Sequence, residues 1–161
     1  MKVRSGFVSN SSSSSFIIAV PADMNLGFDE LHNAVFGSDK IQYFGPEYPG
    51  MSRVSVDSCQ IISSMLNRIK KVDDLSDLIE AAYDQPNMDD YRMEDGKYDW
   101  DAYDEVRKVE NSKEAAKLSS KFPKHDFYSV EYSDNDGEFE CEVEHGAALR
   151  YQENIVRVSH H

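Results

Sequence analysis

The residues that most constrain this chain are 126–144, which read DFYSVEYS, DNDG and EFECEVE. Asp134, Asn135, Asp136 and Gly137 are turn formers between two alternating runs, the pattern of a β-hairpin. In the second run Phe139, Cys141 and Val143 alternate with Glu138, Glu140, Glu142 and Glu144. Successive strand residues face opposite sides, so this spacing predicts a buried apolar face and an outward row of carboxylates. Residues 154–159 (NIVRVS) alternate again and predict a third strand, giving an antiparallel meander over about 126–159.

The rest of the chain reads as one early strand and several helices. Residues 16–20 (FIIAV), ending at Pro21, predict a strand buried on both faces. Phe28, Leu31, Val35 and Phe36 recur at helical spacing before Gly37, a stop signal. Residues 41–44 predict a short strand, and the Pro- and Gly-rich residues 45–52 a loop. Asp57 or Ser58 can cap a helix reaching about Lys71, with Ile62, Met65, Leu66 and Ile69 as its buried stripe. A second helix, starting after Asp73 or Asp74 and carrying Leu75, Leu78, Ile79 and Ala82, would pack on it. Trp100, Tyr103, Val106 and Val109 continue at helical spacing. Ser112 can cap a further helix with Ala115, Leu118 and Phe122 inward, stopped by Pro123. The expected class is α+β: the late meander plus a short N-terminal strand, with helices packed on one face. The expected division is a leader, 1–15, and a single domain, 16–161.

The leader reads MKVRSGFVSNSSSSSF through residue 16. Its serine run predicts a flexible arm, yet Phe7 and Val8 precede the run and Phe16, Ile17 and Ile18 follow it. Arg4, Gly6, Phe7, Val8, Ser9, Asn10, Ser11, Ser12, Ser13, Ser14, Ser15 and Phe16 carry a resemblance. The string RSGFVSNSSSSSF resembles an N-terminal signature shared by small, mostly uncharacterised proteins of tailed bacteriophages and prophage-bearing bacteria. The resemblance covers roughly the first tenth of the chain. It implies phage or prophage origin and implies no fold. The seven polar residues from Ser9 leave no apolar core of a signal peptide after Lys2 and Arg4, so the expected place is the cytoplasm of the infected host, or release by lysis. A hydroxyl-rich segment between apolar anchors suits a recognition tag, a processing signal or a modification site.

Charge narrows the partners. Seventeen Lys and Arg stand against 30 Asp and Glu, a net charge of -13. Such a field repels nucleic acid and anionic membrane and favours a basic partner. Residues 84–105 are the most acidic stretch. Asp84, Asp89, Asp90, Glu94, Asp95, Asp99, Asp101, Asp104 and Glu105 face only Arg92 and Lys97, with Tyr91, Tyr98, Trp100 and Tyr103 interleaved. One reading is a solvated insertion held down by its aromatics. The other is a contact surface in which Asp99, Trp100 and Tyr103 meet a partner rich in Lys and Arg. On the predicted strand, Glu138, Glu140, Glu142 and Glu144 would repeat at about 6.8 Å, close to the spacing of phosphates along a nucleic-acid strand. That spacing raises a DNA-mimic reading beside the plainer one of a wet sheet face.

Motifs for chemistry are sparse. His125 and His145, with Asp126 and Glu144, flank the hairpin and can converge at one end. The chain has no HExxH and no paired Cys/His spacing, so no metal or cofactor is expected. Asp134, Asn135, Asp136 and Gly137 match part of a calcium loop, but Val143 stands where an acidic ligand is required. There is no GxSxG elbow, and the eight glycines form no phosphate loop. Cys59 and Cys141 read as free thiols of a reducing compartment. No run approaches the ~20 apolar residues of a membrane span. The terminal His160 and His161 are left out of the chemistry. The sequence therefore predicts a non-enzymatic, phage-encoded binding protein that engages a basic surface of a host or phage protein. Its expected contacts are Glu138, Glu140, Glu142 and Glu144 with Asp99, Trp100 and Tyr103, a DNA-mimic-like inhibitor being one form. The alternatives are a minor virion component and a small enzyme whose site carries no known motif.

Overall fold

The central strand, β1, is Ser13–Pro21, nine residues long. A computed structural model describes it together with the rest of residues 13–45, 54–76 and 87–160. Phe16, Ile17, Ile18, Ala19 and Val20 are all buried, as a strand covered on both faces requires. Each large side chain among them contributes about 1.5–3 kcal/mol by leaving water.

Helix α1 (Phe28–Phe36) follows and ends at Gly37, whose φ of 66° and N–H bond to Asn33 O close the last turn. Strands β2 (Tyr43–Phe44) and β3 (Val56–Asp57) pair into a small ribbon. Asp57 then caps α2 (Ser58–Arg68) in a reciprocal box with Gln60. Lys70–Lys71, read from the sequence as a helix end, instead forms β4. A 3₁₀ turn, Met88–Tyr91, leads towards α3 (Trp100–Lys121). That helix is continuous. Ser112 caps nothing and sits in mid-helix, because no Gly or Pro interrupts the run before Pro123.

β5 (His125–Ser133), α4 (Glu138–His145), the short α5 (Ala147–Arg150) and β6 (Ile155–His160) complete the chain. The sheet order is β4–β5–β1–β6, and every pairing is antiparallel. The fold is α+β.

Two further features differ from expectation. First, residues 138–145 form a helix, so the expected hairpin and the meander over about 126–159 do not form: β6 pairs with β1 on the side away from β5. Glutamate favours helix over strand. Glu138 and Glu140 lie in the first turn and His145 in the last, which suits the helix dipole. Gly137 and Gly146 bracket the segment, and β4 already pairs with β5 at Tyr128 and Ser129.

Second, helical residues cover both faces of the sheet, not one. Phe16, Ile18 and Val20 pack with Leu31 of α1, Ile61, Ile62 and Met65 of α2, Val143 of α4 and Leu149 of α5. On the other face Ile17, Ala19, Leu75 and Phe127 meet Ala115, Leu118 and Phe122 from the end of α3. The two-sided hydrophobicity of 16–20 was the sequence sign of this. Leu78, Ile79 and Ala82 of the expected second helix lie outside the described residues, as do most of the loop residues 45–52.

Candidate functional site

Two places gather chemistry-bearing side chains. The first is the start of α3. Asp99 is its N-cap and accepts from Ala102 N–H at 3.1 Å, which turns the chain sharply at Trp100. Tyr103, one turn on, is buried and stands edge-on to Trp100, with ring centres 6.0 Å apart at 88°. Tyr91 meets Tyr103 edge-on at 5.5 Å, and Tyr98 packs against Trp100 at 5.8 Å. The Arg92–Tyr98 bridge fixes the preceding loop beneath them. Trp100 itself is 54% exposed, a large apolar surface held rigid by tyrosines. Asp89, Asp90, Glu94, Asp95, Asp99, Asp101 and Glu105 are all exposed around this segment, and Lys97 is engaged by Asp95 at 3.3 Å. The expected trio of Asp99, Trp100 and Tyr103 is thus one cluster, in which Tyr103 is buried and braces Trp100.

The expected row of Glu138, Glu140, Glu142 and Glu144 does not exist. On a helix these residues divide between two faces, Glu138 with Glu142 and Glu140 with Glu144, instead of sharing one. Glu138 is exposed, Glu140 is engaged by Arg68 at 3.0 Å, and Glu142 and Glu144 are buried. Arg68 also reaches Asp136 at 3.3 Å and lies over the Tyr132 ring. A DNA-mimic ladder on this segment is excluded by that geometry.

The second place is the inner end of the sheet. Ser14 is fully buried on β1, on the face shared with Phe16. Arg157 of β6 donates to Ser14 Oγ through Nε at 2.9 Å and also through Nη2. The Ser14 hydroxyl in turn donates to Glu144 Oε1 at 3.3 Å. His145 Nε2 stands 3.6 Å from Glu144 Oε2. Asp134, in the turn after β5, completes the group: donor atoms of Asp134, Glu144 and His145 all lie within 4.8 Å of one another. On α4 the Cys141 thiol is pushed up by burial and by the carboxylates of Asp134, Glu144, Glu142 and Glu138.

No protein-family model, curated protein or solved structure matches the chain.

His125 and Asp126 do not join His145 and Glu144. They sit at the opposite end of β5, where His125 Nδ1 contacts Pro123 O at 2.8 Å and Asp126 pairs with Lys71 at 3.5 Å. Sequence reading missed Asp134, taken as a turn residue, and missed His32. Buried His32 joins α1 to α2: Nδ1 contacts Ser38 O and Nε2 contacts Ser58 Oγ, each at 2.7 Å. With both ring nitrogens engaged, His32 is a structural tie. Of the leader, Phe7, Ser9, Asn10, Ser11 and Ser12 lie outside the described residues, whereas Ser13, Ser14, Ser15 and Phe16 belong to β1. Both cysteines are free thiols. Among the described residues no helix is long and apolar enough to cross a membrane.

Proposed function

We propose that this is a non-enzymatic binding protein of phage or prophage origin that engages a basic surface of a host or phage protein through the Trp100 cluster. One observation carries the reading. The only tryptophan is half exposed, braced by Tyr98 and Tyr103, and set in a segment of exposed carboxylates. Aromatic anchors with little freedom to lose are the residues that dominate binding energy. A surrounding negative field speeds encounter with Lys- and Arg-rich surfaces and selects against acidic ones. The leader resemblance supplies the phage origin and the infected cell as the setting.

The test has two arms. Collisional quenching of Trp100 fluorescence measures the local field: with each quencher normalised to its effect on N-acetyltryptophanamide, caesium should be favoured over iodide at low salt, and equal normalised quenching would remove the electrostatic part. Affinity capture from infected cells should then retain a basic protein, with Trp100→Ala weakening its binding by about 2 kcal/mol or more. Asp90→Lys with Asp101→Lys should slow association and flatten its salt dependence. Retention of the same partner by both variants would refute the assignment of this surface.

A further inference from the structure

Glu144 presents a problem of solvation that the protein's own hydrogen bonds leave half solved. Its side chain has no exposed surface. Oε1 accepts from Ser14, but Oε2 is buried and accepts no hydrogen bond, and His145 Nε2 at 3.6 Å is beyond hydrogen-bond range. A carboxylate oxygen sealed from water without a donor is strongly unfavourable, and natural folds rarely keep one without a reason. The hydrogen bonding around it also fixes its direction. Ser14 Oγ accepts from Arg157, so its own proton is committed to Oε1. That leaves Oε2 as the atom offered to the group formed with Asp134 and His145.

We infer that Asp134, Glu144 and His145 bind one divalent first-row transition cation, with Zn²⁺ and Mn²⁺ as representative members. Oxygen and nitrogen donors about 2.0–2.2 Å from such an ion stand about 3–3.5 Å from one another. The spacings here, all within 4.8 Å, close to those values by rotation of the half-buried Asp134 and His145 side chains. Two carboxylates with one imidazole suit a first-row transition ion, whereas Mg²⁺ and Ca²⁺ take oxygen-only sets. The ion would join the turn after β5 to the end of α4. Ser14 and Arg157 would hold Glu144 as a positioning pair, the usual arrangement behind a metal ligand. The inference is independent of the Trp100 surface.

Isothermal titration of the chelator-stripped full chain tests it. Zn²⁺ should bind at one ion per chain and raise Tm, Mn²⁺ should compete for the same site, and millimolar Mg²⁺ or Ca²⁺ should leave it open. Asp134→Asn and His145→Asn should each lower Zn²⁺ affinity at least tenfold with unchanged far-ultraviolet circular dichroism. Both residues are half-buried, so they carry the test even if Glu144→Gln fails to fold. His160→Ala with His161→Ala should leave binding intact, since that terminal pair can itself take Zn²⁺. The proposal is overturned by absence of saturable binding, by full affinity in Asp134→Asn and His145→Asn, by loss of binding in the terminal-histidine variant, or by Ca²⁺ binding as tightly as Zn²⁺.

Discussion

Arg68→Ala is the perturbation that most directly probes where the acidic residues of α4 are directed. The Arg68 guanidinium donates to Glu140 Oε1 at 3.0 Å, to Asp136 Oδ2 at 3.3 Å and to the Glu131 carbonyl at 3.3 Å. It also lies 5.0 Å from the centre of the Tyr132 ring. One side chain thus ties the end of α2 to β5, to the turn and to α4. The Glu140 side chain is 19% exposed and that of Asp136 50%. The first pair is therefore worth about 1 kcal/mol and the second about 0.3 kcal/mol. The carbonyl bond contributes about 1 kcal/mol, and the ring contact about 0.5 kcal/mol. The expected loss is about 2–3 kcal/mol, which for a chain of this size lowers Tm by about 5–10 °C. Urea denaturation followed by circular dichroism measures the loss. A double-mutant cycle with Glu140→Gln should return a coupling of about 1 kcal/mol. At 1 M salt the Asp136 share should fade first, because it is the more exposed. A change below about 0.5 kcal/mol, or additive behaviour of Arg68→Ala and Glu140→Gln, would refute the reasoning and return Glu140 to the set of carboxylates free to meet a partner.

Two further outcomes follow from local geometry. Gly137 holds φ 150° and ψ 178°, a backbone region essentially confined to glycine, so Gly137→Ala should cost about 1–3 kcal/mol; an unchanged urea midpoint would contradict this. Tyr132 is held above its ordinary 10.0 mainly by burial, against weaker opposing effects of the Ser64 hydrogen bond and Arg68. The folded state therefore keeps this proton longer than the unfolded one. The contribution to stability is complete below about pH 10 and is lost as pH rises through the folded value. Tyrosinate absorbance should accordingly show one of the nine tyrosines ionising only as the fold collapses; full ionisation before loss of circular dichroism would be the contrary result.

Helix α1 was legible because two independent signals agreed: Phe28, Leu31, Val35 and Phe36 at helical spacing, and Gly37 at the αL position that ends it. Asp57 was legible as a cap for the same kind of reason, although its partnership with Gln60 was not. Residues 138–145 were misread because eight residues are too few for period two to outweigh other preferences. Val143 is buried in either conformation, so the apolar positions could not decide. The decision lay with glutamate propensity, the bracketing glycines and β4 pairing alongside β5, and the last of these is a long-range fact. The trio of Asp134, Glu144 and His145 was hidden by the same error, since only a helix after the turn brings its last residues back to Asp134. The proximity of Asp99, Trp100 and Tyr103 was legible because they are close in sequence and a single N-cap is enough to assemble them.

The serine run shows why composition and register give different answers for the same residues. By composition, residues 11–15 are interchangeable hydroxyls with little reason to order. By register, Ser14 shares a face with Phe16, Ile18 and Val20, and that face is the main core. A buried hydroxyl there is unfavourable unless bonded, and Ser14 is bonded twice over, accepting from Arg157 and donating to Glu144. Ser13, Ser14 and Ser15 also pair along β5 opposite Ser133, Tyr132 and Glu131. The leader and the fold therefore overlap. Removing residues 1–15 would strip a third of β1 and leave buried Glu144 and half-buried Arg157 without their shared hydroxyl. Any loss of binding in such a truncation would report a damaged sheet as readily as a missing recognition element. A cut placed before Ser13 separates the two, because it leaves the paired part of β1 and its polar contacts in place.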